Sequence, residues 1–529
     1  MYNKFNYPVL SFFGLILFLP FIGIFSKLNF NIDSLLNFLS NKYIYRIIFF
    51  SFYQAFISAF ISCIIAIPFA LALNRHKNNK IIKVIISLCG FSFVLPSILI
   101  VYAVIKIYGY NGLLNSYFNF YNFFQIDTIY GLTGILFAHI ILNAPFATRL
   151  FVQNLNNIPH KYYEISKTLN LSFMGNIIKL EYPIIRQNLF TVFSIIFSLC
   201  FLSFAIVMAL GGSPQNSTLE VAIYQYALFE LNFQKAIILS FIQIFICLVF
   251  VFVGFFNIKG SNFFEIEIKF NIHPHKDILL VKLFDILIII FFILLLFSPI
   301  SVLIYDFISS NFSKNLFNLN FLKSFFNSII ISLITGILVS VFGLLVSCLI
   351  VINHKKIMFQ QILFLSSSMI LIVSPIIFSL GYFIILQKLL HLTWFKFFVV
   401  VLINSIFLLP FAILILFNNL KNVYLTFEDF KDTYRLKLIN YIKILFPLIK
   451  KNFLYVFSFS TVITFGDFTI ISFFRSKNFD TLPSYLYKLI SVYRFNEASF
   501  VAGIILIISL LIYFTIDNLI YQGKPVSKT

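Results

Sequence analysis

Two stretches of this 529-residue chain place an acidic residue and a proline at the same spacing. In the first, Pro183 follows Glu164 by nineteen positions, and in the second, Pro447 follows Glu428 by the same number. Apolar side chains recur every three or four positions around each acidic residue, as on one face of a short helix. This pattern favours docking chemistry, either onto anionic lipid or into a groove on a partner protein.

The two stretches lie in long polar segments, 151–188 and 418–452, and each is predicted to hold a short amphipathic helix. Pro159 suits the opening turn of the first helix, and Thr426 is a plausible cap for the second. The predicted apolar faces consist of Tyr162, Ile165 and Leu169 in the first helix and Phe427, Phe430 and Tyr434 in the second.

Asp467 suggests a different chemistry, because it stands deep in the apolar run 453–474, directly after Gly466. An ionisable group inside a membrane segment usually faces a cavity or a partner. A carboxylate beside aromatic faces, here those of Tyr224 and Tyr487, suits an organic cation. The alternative is a buried carboxylate that is satisfied by backbone donors or by a helix terminus.

Catalytic chemistry has no comparable signal in this sequence. No Gly-rich phosphate loop ending in Gly-Lys-Ser or Gly-Lys-Thr occurs, and carboxylates and histidines do not cluster. His273 and His275 alone do not make a metal site, and the five cysteines all fall in apolar runs, which implies no disulfide framework. We therefore expect no catalytic residue, no metal site and no cofactor.

The elements that must position these residues are membrane helices. The chain is 60% hydrophobic and 11% charged, whereas a soluble protein carries roughly 25% charged residues. Twelve apolar runs are long enough to cross the hydrocarbon core of a bilayer. Their approximate limits are 7–25, 47–73, 84–105, 130–150, 189–210, 237–256, 279–304, 325–352, 364–386, 397–417, 453–474 and 500–520. The predicted fold is an all-α polytopic membrane protein of about twelve transmembrane helices.

The chain also repeats itself, which indicates two tandem six-helix halves. Residues 1–260 form the first half, 261–278 a polar linker and 279–529 the second half. Pro96 matches Pro375, and further matches follow in the same order at a slowly drifting offset. They include Asn143-Ala144-Pro145-Phe146-Ala147 with Leu408-Leu409-Pro410-Phe411-Ala412, and Thr218-Leu219 with Thr481-Leu482. An even number of spans per half gives both halves the same orientation in the membrane.

The distribution of Lys and Arg predicts how the protein is oriented in the membrane, and we do not expect a nucleic-acid partner. The net charge is +20, but Lys far outnumbers Arg, and Asn, Ile and Phe are plentiful, which is typical of coding bias. Lys and Arg are more numerous in the loops on the side of the two termini. We expect a multi-pass protein of a bacterial inner membrane, in contact with lipid and not nucleic acid, with both termini in the cytoplasm.

The two docking stretches resemble the loop signature of ATP-binding-cassette importer permeases. That signature is Glu-Ala-Ala, a Gly six residues after the Glu, and Ile-x-Leu-Pro with the Pro nineteen after the Glu. The corresponding residues are Glu164, Ser166, Asn170, Leu180, Tyr182 and Pro183, then Glu428, Phe430, Tyr434, Ile444, Phe446 and Pro447. The resemblance implies that each stretch is a coupling helix that sits in a cleft of a separate ATPase subunit.

Over nearly its whole length the chain is similar to the fused, two-half permeases of bacterial thiamine importers. The segments that carry this similarity include Phe50-Ser51-Phe52-Tyr53-Gln54, Gly211-Gly212-Ser213-Pro214-Gln215, Thr464-Phe465-Gly466-Asp467-Phe468 and Thr481-Leu482-Pro483-Ser484-Tyr485. The similarity implies import of thiamine, with its phosphate esters as a further option, and the fused ferric-iron permeases are the alternative. Its implied partners are a periplasmic substrate-binding protein and two copies of an ATPase subunit.

Thiamine is a permanent organic cation, so the expected substrate path includes Asp467 and Gly466 with Tyr224 and Tyr487. Gly211 and Gly212 could allow a bend for gating along this path, although such a pair can also form a simple turn. Glu220 and Glu497 are expected in outer loops, either solvated or in contact with the binding protein. Two other protein classes compete with an ATP-driven importer: a membrane-embedded lipid enzyme and a secondary transporter driven by an ion gradient.

Overall fold

A computed structural model describes residues 14, 18–28, 37–110, 112–118, 128–255, 278–309, 318–352, 372–433 and 438–521. In these ranges the chain is all helix and loop, apart from one isolated bridge between Ser476 and Phe479. The all-α fold class is therefore confirmed. Its physical basis is that a helix satisfies its own backbone polar groups where no water is present.

Eleven α-helices precede residue 256 in the described part of the first half, besides a helical stretch at 18–26. In chain order they are α1 Lys42–Arg75, α2 Lys80–Val94, α3 Ser97–Tyr108, α4 Leu113–Phe118, α5 Leu132–Leu155, α6 His160–Thr168, α7 Phe173–Asn176, α8 Tyr182–Phe201, α9 Ala205–Leu210, α10 Leu219–Leu228 and α11 Phe233–Phe255. A π-helical segment, Ile177–Glu181, joins α7 to α8.

The described part of the second half begins at Ile278 and holds eight further α-helices. They are α12 Leu279–Ser309, α13 Leu319–Ile352, α14 Pro375–Leu386, α15 Thr393–Thr433, α16 Leu438–Phe465, α17 Thr469–Phe474, α18 Leu482–Ser491 and α19 Phe495–Tyr521. A 3₁₀ turn, Gln387–Leu389, follows α14.

Nine helical segments of the described chain are long and apolar enough to cross a membrane. They overlap the second to eighth, the tenth and the twelfth predicted spans. Two of them, Ser97–Ser116 and Phe173–Phe201, are displaced from the predicted limits 84–105 and 189–210. The ninth predicted span is represented by the shorter apolar helix Pro375–Leu389, and the eleventh by α16 and α17. Most of the first predicted span and of the predicted linker 261–278 lies outside the described residues.

Prolines interrupt a predicted span in each half, and the two interruptions match. Leu95 is extended (φ −62°, ψ 127°) between α2 and α3, because a following proline disfavours the helical conformation. In the second half Pro375 opens α14, and the Ser374 Oγ accepts a hydrogen bond from the Ile377 N–H at 3.3 Å. Pro96 and Pro375, matched in sequence, thus mark the same kind of helix break.

A second pair of breaks divides the fifth and eleventh predicted spans. α8 ends at Phe201 and α9 begins at Ala205, while α16 ends at Phe465 and α17 begins at Thr469. The apolar runs gave no sign of these breaks, because hydrophobicity alone does not distinguish a continuous helix from two short ones.

One long-range hydrogen bond occurs at corresponding places in both halves. The Ser51 Oγ in α1 accepts from the Leu219 N–H at 2.8 Å, and the Ser328 Oγ in α13 accepts from the Leu482 N–H at 2.8 Å. Both helices are 34 residues long. A shared side-chain contact at the first turn of α10 and of α18 favours a tandem duplication, and the half boundaries 1–260 and 279–529 stay a prediction.

By packing, the chain forms two compact units that do not follow the sequence halves. One unit contains 31–222 and 241–310, and therefore includes α12 of the second half. Phe292 of α12 packs on Phe69 of α1 with ring centroids 4.2 Å apart.

The other unit contains 1–30, 223–240 and 311–529. Its helical stretch at 18–26 packs against α14, where the Phe21 and Phe378 rings meet edge to face at 6.2 Å. A Cβ on Gly23 would lie 2.5 Å from the carbonyl oxygen of Gly381, so this close approach requires glycine.

We predict that Ser51→Ala and Ser328→Ala each lower the midpoint of thermal denaturation of the purified protein in detergent. Each change leaves a buried backbone N–H without its acceptor, at a cost of about 1–3 kcal/mol. Ser491→Ala is the control, because this exposed hydroxyl donates only to a carbonyl of its own helix. Equal midpoints for all three variants would contradict the prediction.

Candidate functional site

The first docking helix exists as α6 and presents the predicted apolar face. Tyr162 is 52% exposed, Ile165 52% and Leu169 66%, on a nine-residue helix that begins directly after Pro159. Met174 and Ile178 of the following segment are exposed as well. Exposed apolar side chains that lie together in this way are a candidate interaction surface.

Asn170 ends α6 in the left-handed conformation, with φ +47°. The Leu171 N–H donates to the Ser166 carbonyl at 3.0 Å, and the Asn170 N–H donates to the Lys167 carbonyl at 3.2 Å. These two bonds form a Schellman motif, in which the left-handed position is usually glycine and sometimes asparagine. Asn170 therefore provides the turn that a glycine provides in the importer signature.

The other predicted residues of the first stretch divide between surface and interior. Glu164 and Pro183 are exposed, whereas Ser166 is buried and its Oγ donates to the Tyr163 carbonyl at 2.8 Å. Pro183 lies just after the π-helical segment, where the Tyr182 N–H donates to the carbonyl of Ile177, five residues back. This wider turn accommodates a proline that would obstruct an ordinary helical turn.

The second stretch differs from the first in its helix boundary. Thr426 was predicted to cap a separate helix, which is wrong, because α15 runs without interruption from Thr393 to Thr433. Pro159 stops the helix before α6, and no proline occurs between 411 and 433. Pro447 is exposed within α16. The side chains of Glu428 and Phe430, and Tyr434 as a whole, lie outside the described residues.

Asp467 caps a helix in the structure. Its Oδ1 accepts from the Thr469 N–H at 3.0 Å and its Oδ2 from the Ile470 N–H at 3.2 Å, at the start of α17. The Asn404 side chain is hydrogen-bonded to the same carboxylate. Backbone donors at a helix terminus thus hold this half-buried side chain, as the alternative in the sequence analysis described. Gly466 precedes it and is buried.

Tyr224 and Tyr487 share a neighbour that sequence reasoning missed, Arg475. The Tyr224 side chain is hydrogen-bonded to Arg475 and its ring contacts Phe473 at 5.5 Å. The Tyr487 ring packs on Phe468 at 4.8 Å, next to Asp467. Burial raises the pKa of both tyrosine hydroxyls, and the charge of Arg475 acts in the opposite direction. No spacing pattern in the sequence relates Arg475 to either tyrosine.

The remaining predicted positions have structural roles in the described chain. Gly211 lies where a Cβ would stand 2.5 Å from the Val207 carbonyl oxygen, and Gly212 has φ +64°, so the pair forms a turn after α9. Glu220 was expected in an outer loop, but it is fully buried and its Oε1 accepts from the Gln243 Nε2. Glu497 forms an ion pair with Arg494 in the same helical turn.

Within the described residues, no group of three or more His, Cys, Asp or Glu side chains could hold a metal ion. His273 and His275 lie outside them. Two candidate sites remain. One is the exposed face of α6, and the other is the aromatic cluster around Arg475, which consists of Tyr224, Tyr487, Phe468 and Phe473.

Comparison with known proteins gives a consistent set of relatives. The chain is 32% identical over 484 residues to the thiamine transport system permease protein ThiP of Haemophilus influenzae, covering 89% of this chain and 87% of the relative. It is 28% identical over 486 residues to ThiP of Escherichia coli, covering 90% of each chain. ThiP of Brucella suis is 28% identical over 492 residues, with 90% and 87% covered. No family model matches the chain.

The long apolar helices of the described chain and the transport permeases among its relatives together indicate a multi-pass membrane permease of the transport class. The sequence comparison identifies the family more narrowly than the fold does. The chain belongs to the family of thiamine transport system permease proteins.

We predict that Asn170→Gly preserves the stability of the protein, whereas Asn170→Val lowers it. A β-branched side chain in the left-handed region is strained by about 1–2 kcal/mol, while glycine adopts that region without strain. Thermal denaturation in detergent measures the difference. A valine variant as stable as the glycine variant would show that φ at this position is not constrained.

Proposed function

We propose that this chain is the membrane-spanning permease subunit of an ATP-driven importer that carries thiamine from the periplasm to the cytoplasm. The observation that supports coupling to an ATPase is the exposed apolar face of α6. The substrate follows from the relatives, which are named as thiamine transport permeases and match nine tenths of the chain. No observation favours the ferric-iron alternative.

α6 is proposed to dock into a groove on a separate ATPase subunit. An amphipathic helix recognises such a groove through apolar side chains at positions i, i+3 and i+7, which here are Tyr162, Ile165 and Leu169. The Schellman motif at Asn170 keeps the end of the helix in one conformation, so less conformational entropy is lost on docking. ATP hydrolysis then takes place on the partner, and this subunit catalyses no reaction.

The end of α15 and its following residues are proposed as the second docking region, so that one permease chain binds two ATPase copies. The spacing between Glu428 and Pro447 supports this assignment. A periplasmic binding protein would deliver the substrate on the opposite side. The inner-membrane location with both termini in the cytoplasm is supported by the distribution of Lys and Arg among the loops.

Asp467, Gly466, Tyr224, Tyr487, Gly211 and Gly212 remain proposed members of the substrate path. Arg475 adds a positive charge next to both tyrosines. A guanidinium group binds phosphate oxygens by charge-assisted hydrogen bonds. Its position therefore suits phosphate esters of thiamine, which we include among the proposed substrates.

Uptake into proteoliposomes tests the function. Permease reconstituted with its ATPase and binding protein should accumulate labelled thiamine only when ATP is enclosed with the ATPase, and unlabelled thiamine or its phosphate esters should compete. Uptake by the permease alone, driven by an ion gradient, would identify a secondary transporter instead.

We predict that Ile165→Asp weakens association with the ATPase by at least about tenfold, because it places a charge in the centre of an apolar docking face. Binding of the purified ATPase to permease in nanodiscs measures the effect. Lys167→Ala is the matched control, since its exposed side chain points away from Ile165 on the same helix. Equal loss in both variants would indicate that α6 itself had unfolded.

We predict that Asp467→Asn and Asp467→Ser lower thiamine uptake by about tenfold while ATPase binding is retained. Both residues can still cap α17, so that only the charge is removed. Unchanged uptake in the two variants would remove Asp467 from the substrate path and leave it with capping alone.

A further inference from the structure

A group of buried charged side chains lies next to the buried face of α6, the face opposite its exposed apolar side chains. All of them belong to the unit that contains 31–222 and 241–310. We call this group the inner ionic cluster and define it as Arg75, Lys77, Glu181 and Asp285. Arg75 ends α1, Glu181 ends the π-helical segment, and Asp285 lies in the second turn of α12. The cluster therefore joins three elements that are far apart in sequence.

Arg75 is the centre of the cluster. Its Nε donates to the Asp285 Oδ2 at 2.9 Å and its terminal nitrogen to the Asp285 Oδ1 at 2.5 Å, a bidentate pair. The second terminal nitrogen lies 3.9 Å from the Glu181 Oε2. His76 also contacts the Asp285 Oδ2, at 3.0 Å, and the Phe173 ring lies 5.2 Å from the guanidinium carbon.

Tyr163 connects the cluster to α6. Its hydroxyl donates to the Glu181 Oε1 at 3.3 Å, and its side chain is buried while its neighbour Tyr162 is exposed. The two faces of α6 therefore make different contacts. Tyr162 and Ile165 are exposed on the outer face, and Tyr163 contacts Glu181 on the inner face.

The charges balance within the cluster. Arg75 and Lys77 supply two positive charges, and Glu181 and Asp285 supply two negative ones. Burial lowers the pKa of Lys77 to about 8, and attraction to Glu181 opposes this shift. Removing one partner of a buried pair leaves an uncompensated charge, which is strongly unfavourable. These contacts connect the end of α1, the segment that follows α6, and α12.

The second docking stretch has different residues at the positions of Tyr163 and Glu181. Glu428 follows Glu164 by 264 residues, and the same offset puts Phe427 at the place of Tyr163 and Leu445 at the place of Glu181. Ser328 follows Ser51 by 277 residues, and that offset puts Ile352 at the place of Arg75. At these three positions the two copies therefore differ in sequence.

We propose that Arg75, Glu181 and Asp285 are positioning residues that transmit a displacement of α6 to the adjoining ends of α1 and α12. This inference rests on the proposed function, because α6 is displaced only by an ATPase docked on it. Coupling between the two processes is carried by elements that must shift together, and each charge in the chain of contacts contributes to it. ATP hydrolysis and substrate movement on the first side of the importer then depend on the cluster, while docking depends on the outer face of α6.

The test measures ATP hydrolysed per thiamine taken up, in the complete reconstituted complex. Asp285→Asn should raise this ratio by about fivefold while the amount of ATPase bound stays the same. Asp306→Asn is the matched control, because Asp306 forms the ion pair at the other end of α12, with Lys106 at 3.2 Å and with the Tyr102 hydroxyl at 3.0 Å. A merely structural role of Asp285 would lower the yield of the Asp285→Asn complex and leave the ratio in both variants equal to that of the wild type, which would contradict the inference.

Tyr163→Phe provides a second, milder variant in case Asp285→Asn does not assemble. It removes the hydroxyl that reaches Glu181 and leaves the docking face intact, so it should also raise the ratio, by about twofold. Combined with Glu181→Gln it should raise the ratio no further than Glu181→Gln does alone, since both changes break the same link. A ratio equal to that of the wild type in Tyr163→Phe and in every assembled Asp285→Asn complex would overturn the inference. A wild-type complex without ATP-dependent uptake would instead overturn the proposed function, and this inference with it.

Discussion

The absence of water from the bilayer core is the constraint on which this structure depends. A backbone N–H or C=O that meets no partner in hydrocarbon costs several kcal/mol, so the chain satisfies these groups within helices. At two helix breaks inside apolar runs, and at two helices outside them, a side chain accepts from the exposed backbone donors. Ser374 does so at the start of α14, Asp467 at the start of α17, and Ser51 and Ser328 for the opening turns of α10 and α18.

The same constraint applies to Asp467, which caps a helix and is also proposed to line the substrate path. A carboxylate at this depth needs partners, and the three N–H and amide contacts that it receives are sufficient to hold it. Those contacts do not occupy every lone pair, so a capping role and a role in the substrate path are compatible. Arg475 complements this picture, because its charge lies beside the two tyrosines that the duplicated outer segments contribute.

The two stretches proposed to dock differ from each other in structure. The first is a separate helix because Pro159 ends the preceding one, and Asn170 closes it with a left-handed residue. The second continues from a 41-residue helix, since no proline interrupts it. The inner ionic cluster adds to this asymmetry, because the second copy replaces its Tyr and Glu with Phe427 and Leu445.

The sequence by itself determined the fold class, the place of most membrane helices and the position of α6, because these depend on hydrophobicity and local spacing within about twenty residues. Pro96 and Pro375 could also be recognised in advance as helix breaks, since proline acts on its immediate neighbours. The sequence did not reveal the breaks before α9 and α17, the burial of Glu220, or Arg475 beside Tyr224. Only the tertiary structure decided that α12 packs with the first half, through a bond between Arg75 and Asp285, 210 residues apart. Such a contact depends on distance in space, for which one sequence holds no local signal.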